Sequence, residues 1–393
     1  MTGETVRRSR DPLRVLAAAG IVASGVCIVT LLYAIGLTNR SATKRDFIQY
    51  WAAGQQVAHG GNPYDPRAIL LLEKSAGLLG NSPKVTFSPP IILLLAWPLG
   101  YLSAKIGLIL WSLASLGCLG VSAAMLVQLR GRPKSRIHLI AYVFPPALAS
   151  LMAGQIGIFL LFDVVIFLWL YKSRPWLAGA GLVLTVLKPH LFLLCAVVLL
   201  LWSVHRREFR VIAGFLVALA ASCALTLCLA PQVWTQYAQM MQSTRVMDVY
   251  LPTVGVTMRF LIDRHARWLE FLPEAAGCIW AVWYFRAHRD RWDWRSHGLL
   301  LLLVSVVCTP YAWYSDQTIL WPAILAGLYQ AEKSLRALVL FGLIAGAGLA
   351  CALAHVQMPS PLYLWTAPAW LGWYLYAMRR RVGHDIPTAN LAT

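Results

Sequence analysis

Of the chain's 393 residues 59% are hydrophobic and only 13% charged, and the mean hydropathy is +0.62. That is more apolar sequence than a soluble core absorbs, which leaves a polytopic helical membrane protein. A formal charge of +18 would raise nucleic acid as a partner in a soluble chain, but here the basic residues fall between apolar runs, as in cytoplasmic loops beside anionic lipid.

The eight cysteines all sit in apolar segments without a CxxC pair, so they read as small buried residues rather than a disulfide or zinc framework. Residues 1–12 are basic and polar. The apolar run Leu13 to Leu37 is long enough to cross a bilayer, and with no evident small-residue cleavage site it is expected to stay as an anchor.

The stretch Lys44 to Pro66 breaks this habit. Arg45-Asp46 stands directly before Phe47, Tyr50 and Trp51, and apolar residues recur at helical spacing as far as Val57. The pattern predicts a short helix in the interface plane, with its rings at headgroup depth. The plainest role for Asp46 is a cap on its first turn. Gly60-Gly61-Asn62-Pro63 ends the helix, and Tyr64-Asp65-Pro66 opens another, where Asp65 reads first as a turn or cap residue.

Further spans are expected near 104–129, 137–153, 155–171, 176–188, 190–204, 210–230, 267–287, 298–313, 315–330, 336–356 and 362–378. Together with 13–37 they make about twelve, some of them short or broken. Placing the basic clusters inside puts both termini in the cytoplasm and Asp46 on the exoplasmic side. Residues 86–101 would upset this count if they crossed fully, so Pro89-Pro90 to Pro98 is expected to form a re-entrant or interfacial helix. The chain thus reads as one integral-membrane domain, 1–393. After the first span come an exoplasmic loop at 38–85, helices over 86–230, a second exoplasmic region at 231–266, helices over 267–378 and a tail at 379–393. The second region, with Gln232, Trp234, Gln236, Tyr237, Gln239, Gln242, Asp248 and Tyr250, suits sugar stacking and equally suits a solvated loop.

Four places invite chemistry. Asp46 is a carboxylate at a membrane surface, where a general base for a hydroxyl acceptor belongs. Gly154-Gln155 joins two spans, either as a plain turn or as an amide offered to sugar hydroxyls. Lys188 lies within the apolar stretch Val183 to Leu201, where an ammonium is costly and usually marks a functional contact; snorkelling is the alternative. His190 offers a second donor. Thr309-Pro310-Tyr311-Ala312-Trp313-Tyr314-Ser315-Asp316 interrupts an apolar run, with Asp316 either in a pocket or capping the next helix. His355, near an exoplasmic span end, reads first as a structural histidine, with a phosphate contact as the alternative. Asp290 and Asp293 are expected in the cytoplasm, and no paired carboxylates suit a divalent metal outside.

Asp46, Phe47, Tyr50, Trp51, Ala53 and Gly54, closed by Asn62-Pro63-Tyr64-Asp65, resemble the opening signature of glycosyltransferase family 87, which has the GT-C membrane fold. Phe87-Ser88-Pro89-Pro90 resembles the family's aromatic-x-Pro-Pro motif, with phenylalanine where tyrosine is usual. Gly154-Gln155, Lys188-Pro189 and Thr309-Pro310 follow in the family's order; where many members carry histidine, Tyr314 or Ser315 stands, followed by Asp316. The resemblance spans most of the chain.

It implies an all-α GT-C enzyme that moves a hexose, foremost mannose, from a polyprenyl-phosphate-sugar donor to a glycolipid or envelope glycan, with inversion. Asp46 would be the base and Lys188 would meet the leaving phosphate. Tyr50, Trp51, Asp65, Gln155, His190, Tyr311, Tyr314 and Asp316 are the further candidates for substrate contact. No cofactor, metal or nucleic acid is expected. No dinucleotide glycine fingerprint appears, which suits a lipid-carried donor. The alternative is a transporter or flippase with Lys188 and Asp46 as substrate-binding charges, although no internal repeat of the kind common there is visible.

Overall fold

The computed structural model describes residues 42–131, 137–243, 250–354 and 359–379. The expected span at 13–37, the basic residues of 132–136, Asp248, His355 and the tail beyond Arg379 lie outside them. Among the described residues every regular element is helical.

Among the described residues four helices are long and apolar enough to cross a membrane: Ala104–Leu129, Pro189–Arg206, Arg210–Leu229 and Leu335–Ala352. Shorter apolar helices run over Pro90–Tyr101, Gly157–Leu170, Pro175–Leu187 and His297–Cys308. The remaining expected spans coincide with helical segments, several of them broken. Residues 137–153 divide into a 3-10 stretch, Ile137–Val143, and a helix, Pro145–Ala153. Residues 315–330 divide into a 3-10 stretch, Tyr314–Leu320, and a helix, Trp321–Ala331. Prolines at 145 and 322 open the second halves because the first helical turn needs no donor there.

The backbone groups freed at such breaks find side chains, as an apolar surround demands. The Asp163 carboxylate accepts from the Leu184 amide at 2.8 Å, next to the break between Pro175–Ala180 and Val183–Leu187. Ser305 Oγ donates to the Leu191 carbonyl at 2.8 Å, and Thr318 Oγ1 to the Pro146 carbonyl at 2.9 Å. Outward, Leu216, Val217 and Leu225 on one long helix and Leu335, Val339 and Leu343 on another are at least half exposed, an apolar face suited to lipid.

The helix expected from Asp46 onward exists as Phe47–Ala58, but it does not lie on a surface. Phe47, Ile48, Tyr50, Trp51, Ala52, Ala53, Gly54 and Val57 are all buried. It is clamped backbone to backbone against the broken Pro90–Tyr101 segment. A Cβ at Gly54 would lie 2.1 Å from the Ala96 carbonyl oxygen, and one at Gly100 would lie 2.2 Å from that of Gly54. Periodicity found this helix; the glycine contacts, which no local pattern shows, account for its burial against that segment. The Pro90–Tyr101 segment is twelve residues long and broken into α and 3-10 turns.

Candidate active site

Asp46 and Asp65 make an instructive pair, since both precede a helix. Asp65 has extended backbone (φ −77°, ψ 112°) and its carboxylate accepts from the Arg67 amide at 2.9 Å, so it caps Pro66–Ser75. Asp46 has helical backbone (φ −72°, ψ −18°), which turns its side chain away from the first turn, and it makes no cap bond. Its carboxylate is held elsewhere. Oδ2 accepts from Gln155 Nε2 at 2.7 Å, and Oδ1 lies 3.6 Å from Lys84 Nζ. At 43% exposed, the side chain remains open to a ligand.

The turn Gly154-Gln155 is the seat for this carboxylate. Gly154 ends the Pro145–Ala153 helix in the left-handed region (φ +67°), and a Cβ there would sit 2.6 Å from Phe47 Cβ. Gly157, on the far side of the turn, would put a Cβ 2.9 Å from the Ser315 carbonyl oxygen. Two glycines thus let the Asp46 helix and the Tyr314–Leu320 segment press on opposite sides of Gln155. The Gln155 amide is used at both ends, since its Oε1 accepts from Tyr50 Oη at 3.2 Å. Tyr50 stacks on Trp111 with ring centroids 5.1 Å apart, and burial together with the Asp46 charge pushes its phenol up, so it stays a neutral donor. Arg45 donates to the Met152 carbonyl, completing the clamp.

Gly154→Ala adds both the left-handed strain of about 1–2 kcal/mol and the Phe47 clash. It is expected to cut activity while Gly117→Ala, in open space, leaves it unchanged; equal activity of the two variants, measured by transfer assay, would remove the turn from the site.

Lys188 is buried at 8% exposed, and its Nζ pairs with Asp316 Oδ1 at 2.6 Å. Asp316 is fully buried and also accepts from the Trp313 amide at 3.0 Å, so it both caps its segment and holds the lysine. The ammonium is balanced inside the protein by this carboxylate, rather than snorkelling out to water. A second buried pair, Arg259 with Glu270 at 2.6 Å, stands nearby.

These elements enclose a cavity of about 730 Å³, within the range of small-molecule sites. Asp46, Tyr50, Gln155, Lys188, His190 and Tyr311 line it, with His190 edge-on to Tyr311 at 5.3 Å. Four other expected residues do not reach it. The Trp51 indole donates to the Leu102 carbonyl at 2.9 Å, Asp65 is the cap described above, and Tyr314 packs on Tyr363 at 5.0 Å. Asp316 acts one contact behind, through Lys188. Of the polar and aromatic residues of 231–266, Tyr237 reaches the cavity, where its hydroxyl donates to the Phe87 carbonyl at 3.3 Å.

Sequence reasoning missed Lys84, which lines the cavity beside Asp46. The available signal was that Lys84 is the sole charged residue between Lys74 and Lys105, just ahead of Phe87-Ser88-Pro89-Pro90. Its loop is anchored by Glu73, fully buried, whose two oxygens accept from the Lys84 amide at 3.2 Å. Burial raises the Glu73 carboxyl, and this amide and the Lys84 charge oppose the rise.

Comparison with the curated proteins and with the solved structures gave no match in either. The family model of glycosyltransferase family 87 matches residues 87–317, which takes in Gln155, Lys188, Tyr311 and Asp316, while Asp46 lies before it and joins them through the contacts above. An all-helical membrane architecture, these residues gathered round one cavity and a match over more than half its length together place the chain in glycosyltransferase family 87.

Proposed function

We propose that this membrane glycosyltransferase has the GT-C fold with about twelve crossings and works on the exoplasmic face. It takes a hexose, foremost mannose, from a polyprenyl-phosphate sugar to a lipid-linked or envelope glycan, inverting the anomeric carbon. The observation that carries this reading is the Asp46 carboxylate, released from capping and held by Gln155 at the mouth of a cavity lined by lysine, histidine and tyrosine donors. A base needs an accessible lone pair, and the Asp46 side chain is 43% exposed.

In the reaction Asp46 removes the acceptor hydroxyl proton as that oxygen bonds to the sugar's anomeric carbon. The bond from that carbon to the phosphate oxygen breaks, and its electron pair leaves with the polyprenyl phosphate. Lys188, its charge already balanced by Asp316, offers N–H donors of fixed direction to the departing oxygen. Tyr311 and Tyr237 supply flat faces and hydroxyls for sugar.

The test is transfer of labelled mannose from polyprenyl-phosphate-mannose by membranes containing the full chain. Label appearing in a lipid or glycan product only when the protein is present supports the reading; its failure with this and other polyprenyl-phosphate sugars would overturn it. Ammonium groups meet the phosphate in this scheme, so transfer is expected to survive a chelator, and loss restored by a divalent cation would contradict it.

A further inference from the structure

The cavity's two lysines differ in how they are held. Lys188 is buried against a fully buried carboxylate at 2.6 Å. The Lys84 side chain is 35% exposed, with Nζ 3.6 Å from Asp46 Oδ1 and 3.2 Å from the Arg45 carbonyl oxygen it donates to. Its position is nevertheless built. Glu73 grips its amide through both oxygens, Tyr64 Oη donates to the Ser88 carbonyl at 3.2 Å, and Tyr237 Oη donates to the Phe87 carbonyl at 3.3 Å. The backbone is thus pinned at three points while the ammonium, hydrogen-bonded to one carbonyl, has only a long, loose pairing with a charge. Such a group is poised to change partners.

We propose that Lys84 is the cation that takes the phosphate of the incoming donor, leaving Asp46 for it. This rests on the transferase reading of the same cavity. A phosphate oxygen competes with the 3.6 Å contact to Asp46 at little cost, because that contact is long and open to water. It does not draw Lys188 away from Asp316, since that would leave the Asp316 charge buried and unpaired, so Lys188 meets the phosphate only with its remaining N–H groups. The exchange also orders the chemistry: while Lys84 sits beside Asp46 it occupies the Oδ1 side of the carboxylate, and donor binding frees that oxygen for the acceptor hydroxyl. Proton removal from the acceptor is thereby tied to a loaded donor site, and Lys84 then faces the negative charge that develops on the phosphate as the sugar leaves.

The test measures binding of farnesyl phosphate, farnesol and inorganic phosphate to the full chain in detergent. The variants are Lys84→Met, Lys84→Arg, Asp46→Asn and Lys84→Met with Asp46→Asn. Lys84→Met is expected to weaken farnesyl phosphate binding at least about tenfold, the scale of one charge-assisted hydrogen bond, and Lys84→Arg to restore most of it, with farnesol unaffected. Asp46→Asn is expected to tighten farnesyl phosphate binding, and to do so much less when Lys84 is also methionine, because the competition acts through that ammonium.

Unchanged affinity in Lys84→Met beside a wild type that prefers farnesyl phosphate to farnesol overturns the role of Lys84 and spares the transferase reading. A wild type that does not distinguish the two overturns both. Lys84-dependent binding of inorganic phosphate, with nothing gained from the isoprenyl chain, keeps Lys84 as the phosphate cation and makes the source a free phosphate.

Discussion

Asp46→Asn is expected to lower sugar transfer by about 10²–10⁴-fold, the usual worth of a positioned general base. The substitution is nearly isosteric, and the carbonyl oxygen it leaves still accepts from the Gln155 amide now found at 2.7 Å. The helix behind it should stand, because Asp46 makes no cap bond to lose. Loss of transfer with farnesyl phosphate binding kept or improved identifies a base. Transfer equal to wild type would take Asp46 out of the chemistry, and a fall in binding that matches the fall in transfer would make it a substrate contact. Gln155→Leu serves as a companion: with the carboxylate present but unheld, transfer should fall by less than in Asp46→Asn.

Asp316→Ala carries the second large effect, and it is one of stability. Lys188 is 8% exposed and Asp316 fully buried, so removing one partner strands the other in an apolar surround. Breaking a buried pair in this way costs about 3–5 kcal/mol, and the Trp313 amide loses its acceptor as well. The measurement is thermal unfolding of the purified protein in detergent. Asp316→Ala should unfold well below wild type, and pairing it with Lys188→Met should recover part of the loss because no unpaired charge remains. If the double variant is no more stable than Asp316→Ala, Lys188 is not restrained by that carboxylate, and its fixed direction toward a phosphate falls with it.

Much of the architecture was legible from local pattern. Helices stand where apolar runs were bounded by proline, glycine and polar residues, as at Ala104–Leu129 and Arg210–Leu229. The Asp65 cap followed from Pro66 beside it. The Phe47–Ala58 helix followed from its spacing, but its burial did not, because that depends on Gly54 meeting Gly100 and Ala96 across a second segment. Of the candidate residues, Asp46, Gln155 and Lys188 were marked by type and setting, and they meet at one cavity. Trp51 and Tyr314 carried the same chemical promise and point into packing instead. Side-chain chemistry does not tell which face of a turn a ring leaves by.

By itself, then, the sequence determined a helical membrane protein, the places of most helices, and a short set of polar residues too costly to be idle in apolar surroundings. Those follow from interactions within a turn or two of each residue and from the transfer cost of the side chains. The tertiary structure decided how the charges are divided: Lys188 balanced by Asp316, 128 residues away, Asp46 held by Gln155, 109 residues away, and Lys84 donating to the Arg45 carbonyl with Asp46 as a loose charged partner. An ion pair depends on distance in space and on the water excluded around it, and neither quantity exists until the helices have packed.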